Sequence, residues 1–222
     1  MNSKNYWNSK IIEWEDSMRG SNDLSFVEKV ASYFRRPVKL RNKISFDTVL
    51  PHVEGKTILE LGCGSGFFAF DICRNSNVKK IIGIDISENA INRAKKISYE
   101  EGLSDKCEFY TNDAMSQAFP EADITVGLGF LDYLTAEEVG LLFRNIRSEY
   151  FLFSLSQRIP SVLRYIHILY LLSQQCPKHF YYTKDEFFKF VDNKYSNISF
   201  IDDKRLSFAC IVHNLPINQS TD

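Results

Sequence analysis

The chain has 222 residues, of which 44% are hydrophobic and 25% charged, and its formal net charge is −1. This length and composition suit one globular domain, residues 1–222, and the near-zero charge gives no broad attraction to nucleic acid or an anionic membrane. The five cysteines are scattered without metal-ligand spacing, so we expect free thiols and no metal site. There is neither a signal-peptide pattern nor a run of 18 apolar residues, which leads us to expect a cytoplasmic protein without stable membrane insertion.

Residues 1–52 are predicted to form an N-terminal helical cap. Several of the aromatic and aliphatic side chains at positions 6, 7, 11, 12 and 14 fall on one helical face, and residues 20–23 (GSND) break the pattern. A second helix is expected to end at Pro37, with a short helix near residues 45–52. The basic segment 35–43 is interpreted either as a solvated connector or as a contact for an anionic substrate.

The stretch from Thr57 to Phe68 (TILELGCGSGFF) is predicted to form a strand, a glycine-rich turn and the start of a helix. Glycines at such a turn let a ligand approach the backbone and tolerate positive φ angles. The helix that follows presents unpaired N–H groups to the same place. The pattern indicates a nucleotide-like site at the carboxyl edge of a parallel sheet.

A dinucleotide such as NAD(P) is one of two nucleotide ligands that fit this turn. Gly64, Gly66 and Ala69 satisfy the dinucleotide fingerprint G-x-G-x-x-A, and Asp85 follows at about the ~20-residue spacing of the ribose-binding acid. Phe67 and Phe68 fall in the first helical turn, where a pyrophosphate needs open backbone, so they disfavour a dinucleotide.

Strands and helices alternate through the middle of the chain. Strands are predicted near residues 56–61, 79–85, 106–111 and 122–128, and helices near 66–74, 88–101 and 114–118. Ser87 is the expected N-cap of the 88–101 helix.

The second half continues this alternation and then changes direction. Thr135 and Glu138 form a predicted capping box, followed by a buried strand at 150–155 and an apolar helix over 160–174. Thr183 is expected to cap a helix over 185–191. Two strands near 196–202 and 206–213 have a short link, which predicts an antiparallel hairpin. Residues 156–182 are interpreted as a substrate-facing insert.

Four of these segments resemble the motifs of the class I S-adenosylmethionine-dependent methyltransferases. Residues 60–66 (ELGCGSG) resemble motif I, residues 81–87 (IIGIDIS) the second strand with its acid, residues 109–114 (FYTNDA) the third and residues 122–129 (ADITVGLG) the fourth. The resemblance implies an α/β fold of Rossmann type. Its sheet has seven mostly parallel strands with helices on both faces, and the last strand is antiparallel.

The same resemblance implies S-adenosylmethionine as cofactor and S-adenosylhomocysteine as product. Asp85 would accept hydrogen bonds from the ribose diol, Asp113 from the adenine amine, and Glu60 would order the turn and reach the ligand's amino group. Tyr6 and Trp7 would lie near the sulfonium. The full set of expected cofactor-binding residues is Tyr6, Trp7, Glu60, Gly62, Cys63, Gly64, Gly66, Asp85, Ile86, Asp113, Ala114 and Leu128.

Methyl transfer from a sulfonium chiefly requires alignment, although a hydroxyl acceptor also benefits from a base. Many small-molecule members of the family carry an acidic-His pair after strand four, whereas this chain has Asp132 and Tyr133. These two residues and His179 are the candidate catalytic groups. His167 is a further candidate. It lies on a largely apolar helix, and a histidine on such a helix is more often a buried core residue.

We therefore expect a methyltransferase that acts on a small molecule, with oxygen favoured as the acceptor atom and no nucleic-acid partner. The alternatives are an NAD(P)-binding Rossmann oxidoreductase, a non-catalytic S-adenosylmethionine-binding relative, and a membrane-surface enzyme that uses residues 162–172. The arrangement after strand five loosely resembles the magnesium-protoporphyrin methyltransferases. The sequence leaves the acceptor and the oligomeric state open.

Overall fold

A seven-stranded sheet forms the centre of the protein. The computed structural model describes residues 3–19, 26–116, 118–176, 178–191 and 193–216, and for residues 18, 19 and 26–35 it describes the backbone alone. The strands are β1 Thr57–Leu61, β2 Lys80–Asp85, β3 Cys107–Thr111, β4 Ile124–Gly127, β5 Tyr150–Ser156, β6 Ser199–Ile201 and β7 Ala209–His213. The helices are α1 Ser3–Arg19, α2 Phe26–Val49, α3 Phe67–Asn75, α4 Glu88–Glu100, α5 Ala136–Asn145, α6 Val162–Ser173 and α7 Lys184–Val191.

The strand order is β3-β2-β1-β4-β5-β7-β6. The pairs from β3 to β5 are parallel, whereas β7 is antiparallel to both of its neighbours. The strand order reverses between β1 and β4, and ligands of open α/β sheets bind outside the carboxyl ends of the strands at such a point. The predicted fold class, including the antiparallel last strand, is confirmed.

Apolar side chains fill the space on both faces of the sheet. One buried cluster includes Ile58, Ile81 and Phe109, and a second includes Leu59, Phe143 and Phe153. Neighbouring strand residues such as Ile58 and Leu59 belong to different clusters because successive side chains point to opposite faces. Both faces are thus covered, as a sheet of parallel strands requires.

Both predicted helix caps are present. The Ser87 hydroxyl accepts a hydrogen bond from the Ala90 N–H at 3.2 Å, and Thr135 and Glu138 form a reciprocal capping box at the start of α5. Both caps help to fix the loops that precede α4 and α5, which border the carboxyl edge of the sheet.

Two helix predictions are wrong. Helix α2 does not end at Pro37 but continues to Val49 and takes in most of the predicted 45–52 helix. A proline inside a helix costs about 3 kcal/mol, and here the following turns pack Leu40, Ile44 and Val49 against the core. Residues 114–116 form a turn rather than part of a helix, because the Asp113 carboxylate accepts the Met115 N–H. The predicted break at residues 20–23 lies outside the described residues.

Helix α6 leaves large apolar side chains exposed, Val162, Leu169 and Leu172 among them. In the part of the chain that the structure describes, none of the helices has the length and hydrophobicity needed to cross a bilayer.

Candidate cofactor and acceptor site

A cavity of about 1070 Å³ lies at the carboxyl edge of the sheet. It is lined by α1, α2, the glycine turn, the ends of β2 to β4, and residues from α6 and the segment after it. All but one of the predicted site residues line it. The exception is Gly66, where an added Cβ would lie 2.7 Å from the Phe109 ring. Gly66 therefore permits the close packing of the turn on β3.

The glycine turn needs positive φ angles at three positions. Gly62, Gly64 and Gly66 have φ angles of 68°, 53° and 77°, which other residues adopt only with strain. The turn leads directly into α3, whose first two residues, Phe67 and Phe68, line the cavity.

A residue that the sequence analysis missed, Glu15 of α1, lies on this turn. Its Oε1 accepts the Ser65 N–H at 2.8 Å, and its Oε2 bonds the Ser65 hydroxyl. Positions 7, 11 and 15 share one helical face, so this spacing could have placed Glu15 beside Trp7 and Ile11. The Glu15 carboxylate thus accepts the Ser65 N–H just before the start of α3, a place where anions bind well.

Helix α1 is held in this place by polar contacts with α4. The Asn8 side-chain oxygen accepts the Asn89 N–H at 3.0 Å and the Ser87 hydroxyl at 3.2 Å, and Arg93 pairs with Asp16 at 2.6 Å. The N-terminal helix is therefore a wall of the cavity.

Asp85, at the end of β2, ties the turn to the start of α4. Its Oδ2 accepts the Gly64 N–H at 2.9 Å and its Oδ1 accepts the Ser87 N–H at 2.8 Å. The Ile86 N–H also bonds to this carboxylate. Because the two oxygens of a carboxylate have about four acceptor sites, Asp85 can still accept a hydroxyl proton.

Glu60, near the end of β1, is 4% exposed and only partly bonded. It accepts a hydrogen bond from the Ala69 N–H, while its Oε2 has no hydrogen-bond partner among the described residues. Burial, followed by the charges of Asp85 and Glu15, raises the pKa of Glu60 to about 8. Burial also raises the pKa values of Glu15 and Asp85. Glu15, Glu60 and Asp85, which we call the acidic trio, therefore favour a cation in this part of the cavity.

The raised pKa of Glu60 makes the stability of the ligand-free protein pH-dependent. Because the folded-state pKa of about 8 exceeds the ordinary 4.5, the stabilisation is complete below pH 4.5 and is lost as the pH rises through 8. We expect the free energy of unfolding to fall over this range by up to about 1.4 kcal/mol per pH unit. Urea denaturation at pH 5 and pH 8 measures it. Glu60→Gln should flatten the dependence, whereas the exposed control Glu54→Gln should leave it intact.

The other end of the predicted nucleotide site is Asp113, which follows β3 and lines the same cavity as Asp85. Its Oδ1 accepts the Met115 N–H at 2.9 Å, and the residue is exposed. The second oxygen, Oδ2, is therefore available to accept from an amine. Ala114 beside it is buried.

A wall of rings also lines the cavity. Centroid distances are 5.2 Å for Tyr6–Trp7, 4.9 Å for Trp7–Tyr133, 5.5 Å for Tyr133–His179 and 5.0 Å for His179–His167. All four contacts are edge-to-face, which is a favourable geometry for aromatic pairs. The row of rings thus connects Tyr6 and Trp7, the predicted cofactor residues of α1, to Tyr133 and His179, two of the predicted catalytic residues.

The two histidines differ in their hydrogen bonding. His167 Nδ1 lies 2.9 Å from the Tyr181 hydroxyl, whereas the buried His179 Nδ1 has no partner among the described residues. Burial lowers the pKa of His167 to about 4 and lowers the pKa of His179 as well, although Asp132 opposes the second shift. Both rings are therefore neutral at pH 7, and His179 has an unused ring nitrogen.

The surroundings of Asp132 and Tyr133 do not favour either as a base. The Asp132 Oδ1 accepts the Ser156 N–H at 2.9 Å, and its backbone carbonyl accepts the Phe180 N–H at 2.7 Å. Burial raises the pKa of Tyr133 well above 10. Asp132 thus joins the loop after β4 to β5 and to the segment that carries His179, and Tyr133 is a weak base.

The glycine turn offers a matched pair of substitutions. A Cβ at Gly64 would overlap the Glu15 carboxylate, whereas a Cβ at Gly102, with φ 66°, meets no atom within 4 Å. Both alanine variants carry the backbone strain of about 1–2 kcal/mol. We expect Gly64→Ala to displace Glu15 and to weaken nucleotide binding, and Gly102→Ala to lower stability alone. Thermal denaturation and ligand titration of both variants measure this; equal binding by the two would contradict the proposed geometry.

Comparison with known proteins agrees with this geometry. Residues 52–141 match a family model described as a methyltransferase domain. The chain is 41% identical over 68 residues to a sterol 24-C-methyltransferase of Pneumocystis carinii (strain B80), a match that covers 31% of this chain and 18% of that protein. It is 35% identical over 74 residues to a ribosomal protein L11 methyltransferase of Tolumonas auensis, which covers 33% of this chain and 25% of that protein. The chain thus matches a quarter or less of the length of these two relatives.

A solved structure extends the similarity beyond the matched segment. The magnesium protoporphyrin IX methyltransferase of Synechocystis PCC 6803, solved with bound S-adenosylhomocysteine, superposes with a TM-score of 0.67 at 16% identity. The superposition covers 95% of this chain and 96% of that chain, and it shows a shared fold. Residues 52–141 thus match a methyltransferase-domain model, and nearly the whole chain shares the fold of a methyltransferase that was solved with bound S-adenosylhomocysteine.

Proposed function

We propose that the protein transfers a methyl group from S-adenosylmethionine to a small molecule, and that oxygen is the acceptor atom. The observation that carries this proposal is the acidic trio, with its unbonded Glu60 oxygen, beside a glycine turn. S-adenosylmethionine carries a sulfonium and an ammonium, and both positive groups suit a cavity whose nearest side chains are carboxylates.

The same observation disfavours NAD(P). A pyrophosphate brings two negative charges to the glycine turn, where Glu15 already takes the Ser65 N–H and where three carboxyl groups lie close together. Like charges at this distance raise each other's pKa and would weaken binding. Phe67 and Phe68 also occupy the first turn of α3.

The adenosine part of the cofactor has a proposed residue at each end. Asp85 would accept from the ribose hydroxyls with the acceptor capacity that its backbone bonds leave unused, and Asp113 would accept from the adenine amine with Oδ2. Ile86, Ala114 and Leu128 line the cavity around these groups. Glu60 would hold the ammonium through Oε2, and its pKa would then fall, so that binding near pH 7 releases a proton.

The protein's own contribution to the reaction is alignment, exclusion of water and removal of a proton. The bound cofactor supplies a methyl group activated by the positive sulfur. Alignment of the acceptor within the walls from α1, α2 and the rings can lower the barrier by about 7–11 kcal/mol at its limit. His179, which is neutral at pH 7 and lines the cavity, is the proposed base for the acceptor hydroxyl.

The shape and lining of the cavity favour a small-molecule acceptor. The names of the similar proteins cover a sterol, a ribosomal protein and a metalloporphyrin, so they do not decide the acceptor class. The cavity is concave and has the size of a small-molecule site, and both apolar rings and polar or charged side chains line it. The net charge of −1 gives no broad attraction to nucleic acid.

Methyl transfer into a metabolite extract separates an enzyme from a non-catalytic relative. The protein is incubated with the extract and S-adenosylmethionine labelled in its methyl group, and the products are resolved by chromatography. We expect label in at least one low-molecular-weight compound. Binding of S-adenosylhomocysteine without any labelled product would contradict the catalytic part of the proposal, and label in protein alone would contradict the acceptor class.

A further inference from the structure

Arg41 of α2 lines the cavity. Its guanidinium lies against Gly129, immediately after β4, where an added Cβ would be 3.0 Å from Nη1. The Gly129 N–H itself donates to the Ser154 hydroxyl at 2.6 Å. The guanidinium therefore lies on the backbone of the loop that leads to Asp132 and Tyr133.

This guanidinium has no anionic partner in the described part of the chain. Its Nε is buried without an acceptor, and its hydrogen bond from Nη2 to the neighbouring Asn42 side chain is long, at 3.5 Å. Asp132 interacts with it electrostatically but lies beyond ion-pair distance and uses Oδ1 to accept the Ser156 N–H. Burial accordingly lowers the pKa of Arg41. The Arg41 side chain as a whole is half-buried. A partly desolvated cation without a partner is unfavourable, and an anionic ligand reduces the penalty.

The surroundings of Arg41 place it on the acceptor side of the cavity. The charges that act on it are those of Asp132 and Tyr133, and none of the acidic trio is among them. The ammonium and carboxylate of the cofactor are attached to the same carbon. A cofactor whose ammonium lies at Glu60 therefore keeps its own carboxylate on the side of the trio.

The body of the acceptor is indicated by the ring wall. Trp7, Tyr133 and His179 form consecutive edge-to-face contacts and line the same cavity as Arg41. Such rings favour a flat, apolar partner. A planar guanidinium binds a carboxylate through two parallel hydrogen bonds.

We propose that Arg41 binds a carboxylate of the methyl acceptor, so that the acceptor is a carboxylic acid with a flat apolar body. This inference rests on the proposed methyltransferase function, because it requires the cofactor to occupy the other half of the cavity. Arg41 is thus a specificity-determining residue.

Titration of acid and amide pairs tests the proposal. Benzoate and 2-naphthoate, with benzamide and 2-naphthamide as neutral matches, are titrated by calorimetry into the wild-type protein with and without saturating S-adenosylhomocysteine. The variants are Arg41→Met, Arg41→Lys and the control Arg36→Met, whose side chain is exposed on the same helix. A thermal melt of each variant shows that it folds.

The wild-type protein should bind each acid at least about tenfold more tightly than its amide, since a charge-assisted pair contributes about 1.5–3 kcal/mol. Arg41→Met should abolish this preference, Arg41→Lys should retain part of it, and Arg36→Met should retain all of it. S-adenosylhomocysteine should bind Arg41→Met within about threefold of the wild type, the scatter that unrelated substitutions produce.

Equal binding of acids and amides by the wild-type protein would overturn the proposal. The proposal would also be overturned if Arg41→Met bound S-adenosylhomocysteine more weakly than the wild type but bound decarboxylated S-adenosylhomocysteine equally well. Arg41 would then hold the carboxylate of the cofactor. Failure of the wild type to bind S-adenosylhomocysteine would instead overturn the proposed function. The preference for acids over amides is also measured without S-adenosylhomocysteine, so failure of the proposed function and failure of the Arg41 proposal give different results.

Discussion

Replacement of Asp85 by Asn should weaken the binding of S-adenosylhomocysteine by about 100-fold or more, since two charge-assisted hydrogen bonds are affected at about 1.5–3 kcal/mol each. The carboxylate accepts the Gly64 and Ser87 N–H groups on its two oxygens. An amide presents an NH₂ group to one of these donors, so one contact becomes repulsive and the turn moves. Calorimetric titration at about pH 7.5 measures the change.

The exposed Asp105 provides the control for this substitution. Asp105→Asn removes the same charge from the surface and should leave the affinity unchanged within about twofold, as expected for a surface substitution. An Asp85→Asn variant that is folded and binds S-adenosylhomocysteine like the wild type would exclude Asp85 from the cofactor site.

Replacement of His179 by Gln should lower the rate of methyl transfer by about 10²–10⁴-fold, the usual contribution of a general base. The cofactor affinity should stay the same, because His179 lies in the ring wall rather than near the acidic trio. The rate is measured with labelled S-adenosylmethionine and the acceptor found in the metabolite extract.

The pH profile separates a base from a packing residue. Burial holds the pKa of His179 below its usual 6.5, so wild-type activity should decline only at a pH below this value, where the ring takes up a proton. The variant should lack this acidic decline. His52→Gln, outside the cavity lining, is the control. A variant with a lower rate but the same acidic decline would indicate that His179 only packs against Tyr133.

Much of the cofactor side of the site follows from local sequence. Glycines 62, 64 and 66, the acid at 85 and the N-cap at 87 lie within one strand-turn-helix-strand unit, where each residue's role depends on neighbours close in the chain. The antiparallel β7 was likewise predictable, because a short link between two strands permits little else.

Two contacts that sequence analysis did not predict act across long separations; Glu15 was missed altogether, and Arg41 was singled out only as part of the basic segment 35–43. Glu15 contacts Ser65, 50 positions away, and Arg41 lies against Gly129. Neither contact follows from a periodic pattern on one helix, because it depends on how α1 and α2 lie over the edge of the sheet. The error at Pro37 has the same origin, since the packing of the following turns outweighs the local penalty of proline.

The role of Asp132 also depends on tertiary structure. From sequence it is an acid beside Tyr133, and thus a candidate base. In the folded protein its carboxylate accepts a backbone N–H of Ser156 and lies next to the segment that carries His179. The proposed base is therefore the histidine, and Asp132 positions the loop around it.

Parallel calorimetric titrations of the wild-type protein with S-adenosylhomocysteine and with NAD, each in two buffers of different ionisation enthalpy near pH 7, test the central claim most directly. We expect S-adenosylhomocysteine to bind and to release protons as Glu60 ionises, and we expect no heat of binding from NAD. Tight binding of NAD with no response to S-adenosylhomocysteine would contradict the account.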